Sequence, residues 1–111
     1  MAPTRKPIRV YVAGPYSLGS EAHNVRVALE AAETLLRRGY APYVPHLTHF
    51  WHLIFPHGYE TWLALDFDWL DVCDVVLRLP GASAGADREV ARALGQGIPV
   101  EHDLGAFPPL V

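Results

Sequence analysis

The chain has 111 residues, of which 50% are hydrophobic and 19% charged, so we expect one domain over residues 1–111 and exclude a disordered chain. Nine lysines and arginines are scattered among twelve acidic residues, and the formal net charge of -3 argues against a nucleic-acid partner. The single cysteine, Cys73, excludes an internal disulfide scaffold. Residues 1–9 lack the apolar core of a signal peptide, and no apolar stretch approaches the roughly 20 residues that span a bilayer. We therefore expect a cytoplasmic protein with a small-molecule ligand and no membrane partner.

Strand and helix patterns alternate along the chain. A flexible N-terminus, residues 1–7, precedes a nearly apolar run that predicts a buried strand. The elements expected after it are a helix over 24–38 that Gly39 ends, an edge strand over 41–45 with two prolines, an irregular region over 46–58, a helix over 60–73, a strand over 74–79, a loop over 80–86, a helix over 87–96 and a strand over 98–101. This alternation predicts an α/β fold, with four or five parallel strands in the order 2-1-3-4 and helices on both faces. The tail, residues 104–111, either straps over the domain or contacts another subunit.

One carboxylate occupies an unexpected position. On a helical wheel at about 100° per residue, Asp66 falls inside the apolar arc of the second predicted helix, whereas Asp68 lies on the polar side. A carboxylate directed at a core costs several kcal/mol unless it has a partner or faces a cleft. Asp66 is therefore either a cleft residue or a buried aspartate that a neighbouring backbone or hydroxyl group satisfies.

A second carboxylate, Glu89, is predicted in the first turn of the third helix, where the helix dipole would keep it ionised. Taken alone, Glu89 fits a surface position equally well. In a sheet of order 2-1-3-4, however, ligands bind at the carboxyl ends of strands 1 and 3, where the chain direction reverses. Tyr11 alternates with Val10 and Val12 and is placed to reach the same crevice, the alternative being ordinary packing against a helix.

The irregular region and the loops carry further polar groups. Ser17, Ser20 and Ser83, with backbone amides at the start of the third helix, can bind an anion or sugar hydroxyls. The histidines of the irregular region lack the i, i+4 spacing of a zinc helix and have no cysteine or aspartate close by, so we expect no metal. We expect the rings of this region instead to wall a pocket that stacks on a nucleobase; they are His46, His49, Phe50, Trp51, His52, Phe55, His57 and Tyr59.

Three strings carry a resemblance to a known family: VYVAGPYS over residues 10–17, DFDWLDVCDVVLRLPG over 66–81 and SAGADREVARALGQGIPV over 83–100. With Asn24, they resemble the nucleoside 2-deoxyribosyltransferase-like superfamily, in particular its short bacterial and phage branch, which is related to nucleoside-monophosphate N-glycosidases. The resemblance runs over residues 8–100. Its most specific parts are the glycine after strand 1, the aspartate shortly before Trp-Leu, and Ser-x-Gly-x-x-x-Glu leading into the third helix.

The resemblance implies a flavodoxin-like three-layer sandwich and cleavage of the N-glycosidic bond of a nucleoside or its 5′-monophosphate. The reaction would pass through a glycosyl-enzyme ester and end in hydrolysis or base exchange, without a cofactor. Glu89 matches the family nucleophile, Tyr11 the residue that positions it, and Asp66 the acid near the sugar and leaving base. The residues expected around the substrate are Gly14, Pro15, Tyr16, Ser17, Asn24, His46, His49, Ser83 and Gly85.

The resemblance leaves the substrate open. Ser83 matches a serine that contacts phosphate in the nucleotide hydrolases, yet the loop after Gly14 lacks their phosphate-binding arginine. Either a nucleotide or an unphosphorylated nucleoside therefore fits. The family habit of sharing sites between subunits implies a homo-oligomer. Two alternatives to an enzyme stay open, a non-catalytic module that senses a nucleotide-derived ligand and a structural subunit whose residues 49–59 form an interface.

Overall fold

The computed structural model describes residues 6–111, so most of the N-terminus that we expected to be flexible, residues 1–5, lies outside the described part. The elements in chain order are β1 (Arg9–Ala13), α1 (Glu21–Arg37), β2 (Ala41–Tyr43), a 3-10 turn (Pro45–Leu47), α2 (Thr48–Ile54), α3 (Tyr59–Leu70), β3 (Val75–Arg78), α4 (Ala84–Gly95), β4 (Val100–Glu101) and a second 3-10 turn (Leu104–Ala106).

The four strands form one parallel sheet in the order β2-β1-β3-β4. The predicted α/β fold and its strand order are confirmed. Strand β1 lies between β2 and β3, with Val10 opposite Pro42 on one side and Tyr11 opposite Val76 on the other. Because β2 is an edge strand, the missing amide donor of Pro42 breaks no ladder on its outer side.

The side chains of β1 alternate between two cores. Val10 and Val12 pack with α1 and the C-terminal tail, whereas Tyr11 and Ala13 pack with residues of α3 and α4. A single residue step in a strand moves a side chain to the other face of the sheet. This alternation directs Tyr11 toward the layer formed by α3 and α4.

The C-terminal tail lies against its own chain. Phe107 is only 3% exposed and packs edge-on against Tyr40, with ring centroids 5.5 Å apart. The Arg38 guanidinium donates to the carbonyls of Leu104 and Phe107 at 2.9 and 3.1 Å. Of the two roles expected for the tail, the strap over the domain is the one that residues 104–110 adopt. Within residues 6–111, no helix combines the length and apolar character needed to cross a bilayer.

Several predicted boundaries are wrong, and capping explains two of them. Helix α1 begins at Glu21 and not at residue 24, because the Ser20 side chain accepts from the His23 amide. Helix α4 begins at Ala84 and not at residue 87, because Ser83 accepts from the Ala86 amide.

The remaining errors concern the second predicted helix and the region before it. The predicted helix over 60–73 ends at Leu70, where a turn follows and the Cys73 amide bonds to the Leu70 carbonyl. Residues 46–58, expected to be irregular, contain α2. No residue of α2 is buried, so the sequence lacks the apolar period that identifies a helix.

Candidate active site

A cavity of about 550 Å³ opens at the carboxyl ends of β1 and β3. Its walls come from the loop after β1, from α2 and α3, and from the first two turns of α4. This is the edge at which open parallel sheets bind ligands, because the chain direction reverses between two neighbouring strands. The expected residues that line it are Gly14, Tyr16, Ser17, His46, His49, Asp66, Ser83, Gly85 and Glu89.

Tyr11 and Glu89 meet at the inner end of the cavity. Tyr11 is fully buried on β1 and does not itself line the cavity. Its hydroxyl donates a short hydrogen bond to Oε2 of Glu89, which is 5% exposed. No residue within 6–111 hydrogen-bonds Oε1 of Glu89, the second carboxylate oxygen. The tyrosine therefore fixes one oxygen of the carboxylate and leaves the other available.

The protonation of Glu89 differs from the expectation. Because α4 begins at Ala84, Glu89 lies in its second turn and not in the first, where the helix dipole acts most strongly. Burial raises the pKa of Glu89 to about 7, although the Tyr11 hydrogen bond and the charge of Arg78 lower it. Burial thus opposes the ionisation that was expected from the helix dipole.

Asp66 lies on α3 and lines the same cavity. Its Oδ1 atom is buried, and no group within residues 6–111 hydrogen-bonds it. Burial and, secondarily, the charge of Glu89 raise the pKa of Asp66 to about 8. The pKa of Asp66 thus lies above that of Glu89, so Asp66 keeps its proton to higher pH than Glu89 does.

Two residues expected beside the substrate form hydrogen bonds that hold the loop after β1. The Asn24 amide donates to the carbonyls of Tyr16 and Leu18 at 2.8 and 2.7 Å. The Pro15 carbonyl accepts from Nε2 of His46 at 2.9 Å. Neither Asn24 nor Pro15 lines the cavity. Both residues act on the loop that carries Tyr16, and their contact with substrate stays a prediction.

The first turn of α4 closes another wall. The Ser83 hydroxyl oxygen caps the helix by accepting from the Ala86 amide at 3.0 Å, which leaves its own proton free to donate. At Gly85, a Cβ atom would lie 3.2 Å from the Tyr59 hydroxyl. The missing side chain therefore lets Tyr59 approach the start of α4.

The histidines of residues 46–57 all line the cavity. Burial lowers the pKa of His46, whose Nδ1 is buried without a partner in residues 6–111. Nδ1 of His49 forms a short hydrogen bond with the Tyr16 hydroxyl. Within residues 6–111, no three His, Cys, Asp or Glu side chains are grouped as they would be around a metal ion.

Trp62 and Leu63 are wall residues that the sequence did not predict, and some predicted wall residues lie elsewhere. Tyr59, Trp62, Leu63 and Asp66 line the cavity with the i, i+3, i+4, i+7 spacing of one helix face. The wheel that singles out Asp66 also contains Trp62, but its apolar character suggested core packing. Phe50, Trp51 and Phe55, expected in the wall, are exposed and absent from it.

Residues 8–103 match the model of a family described as a domain of unknown function, DUF7768. No curated protein matches the sequence significantly. A similar solved structure is a 2-deoxyribosyltransferase from the psychrotolerant bacterium Bacillus psychrosaccharolyticus, described as a biocatalyst for nucleoside synthesis. The two share 18% identity and superpose with a TM-score of 0.60, over 83% of this chain and 69% of the other. This likeness confirms that the chain has the flavodoxin-like fold of the deoxyribosyltransferases.

Proposed function

The chain belongs to the DUF7768 domain family, and we propose that it cleaves the N-glycosidic bond of a nucleoside through a glycosyl ester on Glu89. The observation that carries the proposal is the buried hydrogen bond from Tyr11 to Glu89 in a cavity that also contains Asp66. Two carboxyl groups in one cavity, one protonated and one able to ionise, are the groups that glycoside cleavage with a covalent intermediate requires.

In the first step, Oε1 of ionised Glu89 attacks C1′ of the sugar. A C–O bond forms, the C–N bond breaks, and its electron pair leaves with the base. The protonated Asp66 carboxyl supplies the proton that the departing nitrogen takes up. Tyr11 holds Oε2 throughout, so the attacking oxygen is oriented before the substrate arrives.

In the second step, water or a second base attacks C1′ from the opposite face. The nucleophile gives its proton to the Asp66 carboxylate, and the ester bond to Glu89 breaks, which restores both groups. Two inversions retain the configuration at C1′. Hydrolysis and base exchange therefore use the same machinery and differ only in the second nucleophile.

The cavity favours an unphosphorylated nucleoside over its 5′-monophosphate. Among the described residues that line it, none is lysine or arginine, the side chains that usually hold phosphate. The walls supply hydroxyl, imidazole and carboxyl groups instead, which suit sugar hydroxyls and a heterocyclic base. The similar solved structure, described in connection with nucleoside synthesis, agrees with this choice.

A homo-oligomer in the cytoplasm is part of the same proposal. Helix α2 leaves Phe50, Leu53 and Ile54 exposed, and an exposed apolar surface of this kind is typical of contacts between subunits. Light scattering across a dilution series tests the assembly, and a monomer at all concentrations contradicts it.

The experiment that tests the reaction measures free base released from a panel of nucleosides and 5′-monophosphates, with and without a second base. The variant is Glu89→Gln, and the matched control is Glu101→Gln at an exposed carboxylate outside the cavity. We expect release by the native protein and by Glu101→Gln, and none by Glu89→Gln. Release of free base that occurs only when the second base is present identifies a transferase. Ligand binding without release identifies the non-catalytic module and contradicts the proposal.

A further inference from the structure

One ring nitrogen of His52, on α2, accepts hydrogen bonds from two donors. The Trp62 indole Nε1–H reaches its Nδ1 at 2.9 Å, and the backbone N–H of His57 reaches the same atom at 3.2 Å. Neither an indole N–H nor a backbone N–H accepts a hydrogen bond. Nδ1 of His52 therefore carries no proton, and the ring proton is on Nε2.

The Nε2–H group of His52 has no partner within residues 6–111. The ring lines the cavity and is half-buried. The unpartnered Nδ1 of His46, by contrast, is sealed inside the protein. Nε2 of His52 is thus the hydrogen-bond donor that this cavity-lining side chain has left for a ligand.

Aromatic contacts hold this donor in place. The His52 ring lies edge-on to Trp62 with centroids 5.8 Å apart. Trp51 and His57 pack edge-on against Trp62 as well, each at 5.2 Å. Rotation of His52 would break both bonds to Nδ1, so its orientation is set before a ligand binds.

The donor lies on the same side of the cavity as the acid of the proposed reaction. Trp62 precedes Asp66 by four residues on α3, so the two side chains are neighbours on one face of the helix. The group nearest Asp66 in the proposed reaction is the departing base. We propose that His52 selects the substrate by donating its Nε2–H to a hydrogen-bond acceptor, a ring nitrogen or a carbonyl oxygen, on the heterocyclic base.

This inference rests on the proposed function for the identity of the ligand, but its test uses binding and not turnover. Calorimetry measures the affinity of Glu89→Gln, which prevents consumption of the ligand, for 2′-deoxyadenosine and its 1-, 3- and 7-deaza counterparts. The pyrimidine arm compares 2′-deoxyuridine with its 2-thio and 4-thio counterparts, whose sulfur is a weaker acceptor. We expect one counterpart to bind about five- to tenfold more weakly than its parent, as for a lost neutral hydrogen bond.

The same comparison is repeated with His52→Leu added to Glu89→Gln. We expect this variant to bind the parent and the sensitive counterpart equally. His102→Leu, at an exposed histidine outside the cavity, is the matched control and should keep the difference. Three results overturn the inference. They are binding of every counterpart as tight as that of its parent when His52 is present, a difference that survives His52→Leu, and no binding of either parent at millimolar concentration.

A ligand-free measurement covers the case in which His52→Leu folds poorly. Nitrogen-15 NMR of the native protein should show His52 with a bare Nδ1 and a protonated Nε2. Trp62→Phe keeps an aromatic ring but removes the indole donor, and it should shift the ring toward a mixture of tautomers. A proton on Nδ1 in the native protein overturns the inference. If base is released but the affinities show no His52-dependent difference, the proposed function stands and the inference fails. If the affinities show that difference but no base is released, the inference stands and the proposed function fails.

Discussion

The Tyr11 hydroxyl and the Glu89 carboxylate are joined by a buried hydrogen bond although 78 positions separate them in the sequence. Strand β1 delivers the phenol and helix α4 the carboxylate, so the bond forms only when the sheet and the α3–α4 layer are assembled. Burial raises the pKa of both groups. The phenol therefore keeps its proton and donates it in the hydrogen bond, whereas the carboxylate can ionise near neutral pH.

Removing the phenol should slow the reaction and shift its pH dependence. In Tyr11→Phe the ring still fills the core, but Glu89 loses the hydrogen bond that lowers its pKa. We expect base release to fall about 10- to 100-fold, the range typical of a lost positioning contact. Since Glu89 must be ionised to attack, the acidic limb of the kcat/KM profile should move to higher pH.

Tyr43→Phe is the matched control for that variant. The Tyr43 ring packs against Tyr11 with centroids 5.7 Å apart, yet its hydroxyl forms no hydrogen bond within residues 6–111. We expect the Tyr43 variant to keep the native pH profile. A Tyr11→Phe profile that superimposes on the native one would show that the phenol has no role in positioning Glu89.

Asp66→Asn should change how stability depends on pH. The pKa of Asp66 rises from its ordinary 3.8 to about 8 in the folded protein. Between these values the native state holds a proton that the unfolded state has released, so the free energy of unfolding falls as pH rises through this window. Asparagine has no proton to lose. Above pH 8 we expect the free energy of unfolding of the variant to exceed that of the native protein by about 1–3 kcal/mol.

The measurement is the thermal midpoint from pH 4 to pH 9. Glu89 contributes in the same direction up to its own pKa of about 7, but it does so in both proteins. The gap between the two curves should therefore open from about pH 4 and reach its full size near pH 8, the folded-state pKa of Asp66. Asp68→Asn changes an exposed carboxylate on the same helix and should follow the native curve. An Asp66→Asn curve that runs parallel to the native one would show that Asp66 does not hold a proton in the folded state.

Gly81→Ala should destabilise the wall of the cavity. Gly81 has a φ of +111°, and a Cβ atom there would lie 2.8 Å from Cγ of Pro15. Gly97→Ala is the control, since its φ is +75° but nothing lies within 4 Å. We expect about 1–2 kcal/mol of destabilisation at Gly97 from the left-handed backbone alone. Gly81→Ala should lose at least about 1 kcal/mol more because of the clash, as urea denaturation would show. Equal losses would mean that the loop of Pro15 moves aside freely.

Phe107→Ala should test the strap formed by the tail. Deleting this buried ring removes its packing against Tyr40 and should cost about 3–5 kcal/mol of unfolding free energy. Leu36→Ala removes a side chain of α1 that is 60% exposed. That control should change stability by no more than about 0.5 kcal/mol. Similar urea midpoints for both variants would contradict the description of the tail as part of the core.

The sequence predicted the sheet because parallel strands leave strong local signals. The runs around Val10 and Val76 are apolar and β-branched, and Gly39 ends α1 with a φ of +98°. Helix α2 left no such signal. Its side chains line a cavity or face solvent and none is buried, so no apolar stripe marks it as a helix.

The sequence located the two carboxylates of the site better than it described their protonation. The helical wheel singled out Asp66 because one carboxylate interrupted an apolar face, and that residue lines the cavity. The state of Glu89 depends on burial and on the distant Tyr11, which local patterns do not report. The tautomer of His52 likewise depends on Trp62, a contact between two helices that no spacing rule anticipates.

The proposed reaction passes through a covalent ester between C1′ of the sugar and Glu89. Fluorine at the 2′ position of a nucleoside slows formation and breakdown of such an ester and lets it accumulate when the leaving base is reactive. Intact-mass and peptide mass spectrometry after incubation with a 2′-fluoro nucleoside measures it directly. We predict a gain of one fluorosugar on the peptide that contains Glu89 and none in Glu89→Gln. Base release from the 2′-fluoro nucleoside with no mass gain on that peptide, or a gain that persists in Glu89→Gln, would contradict the proposed mechanism.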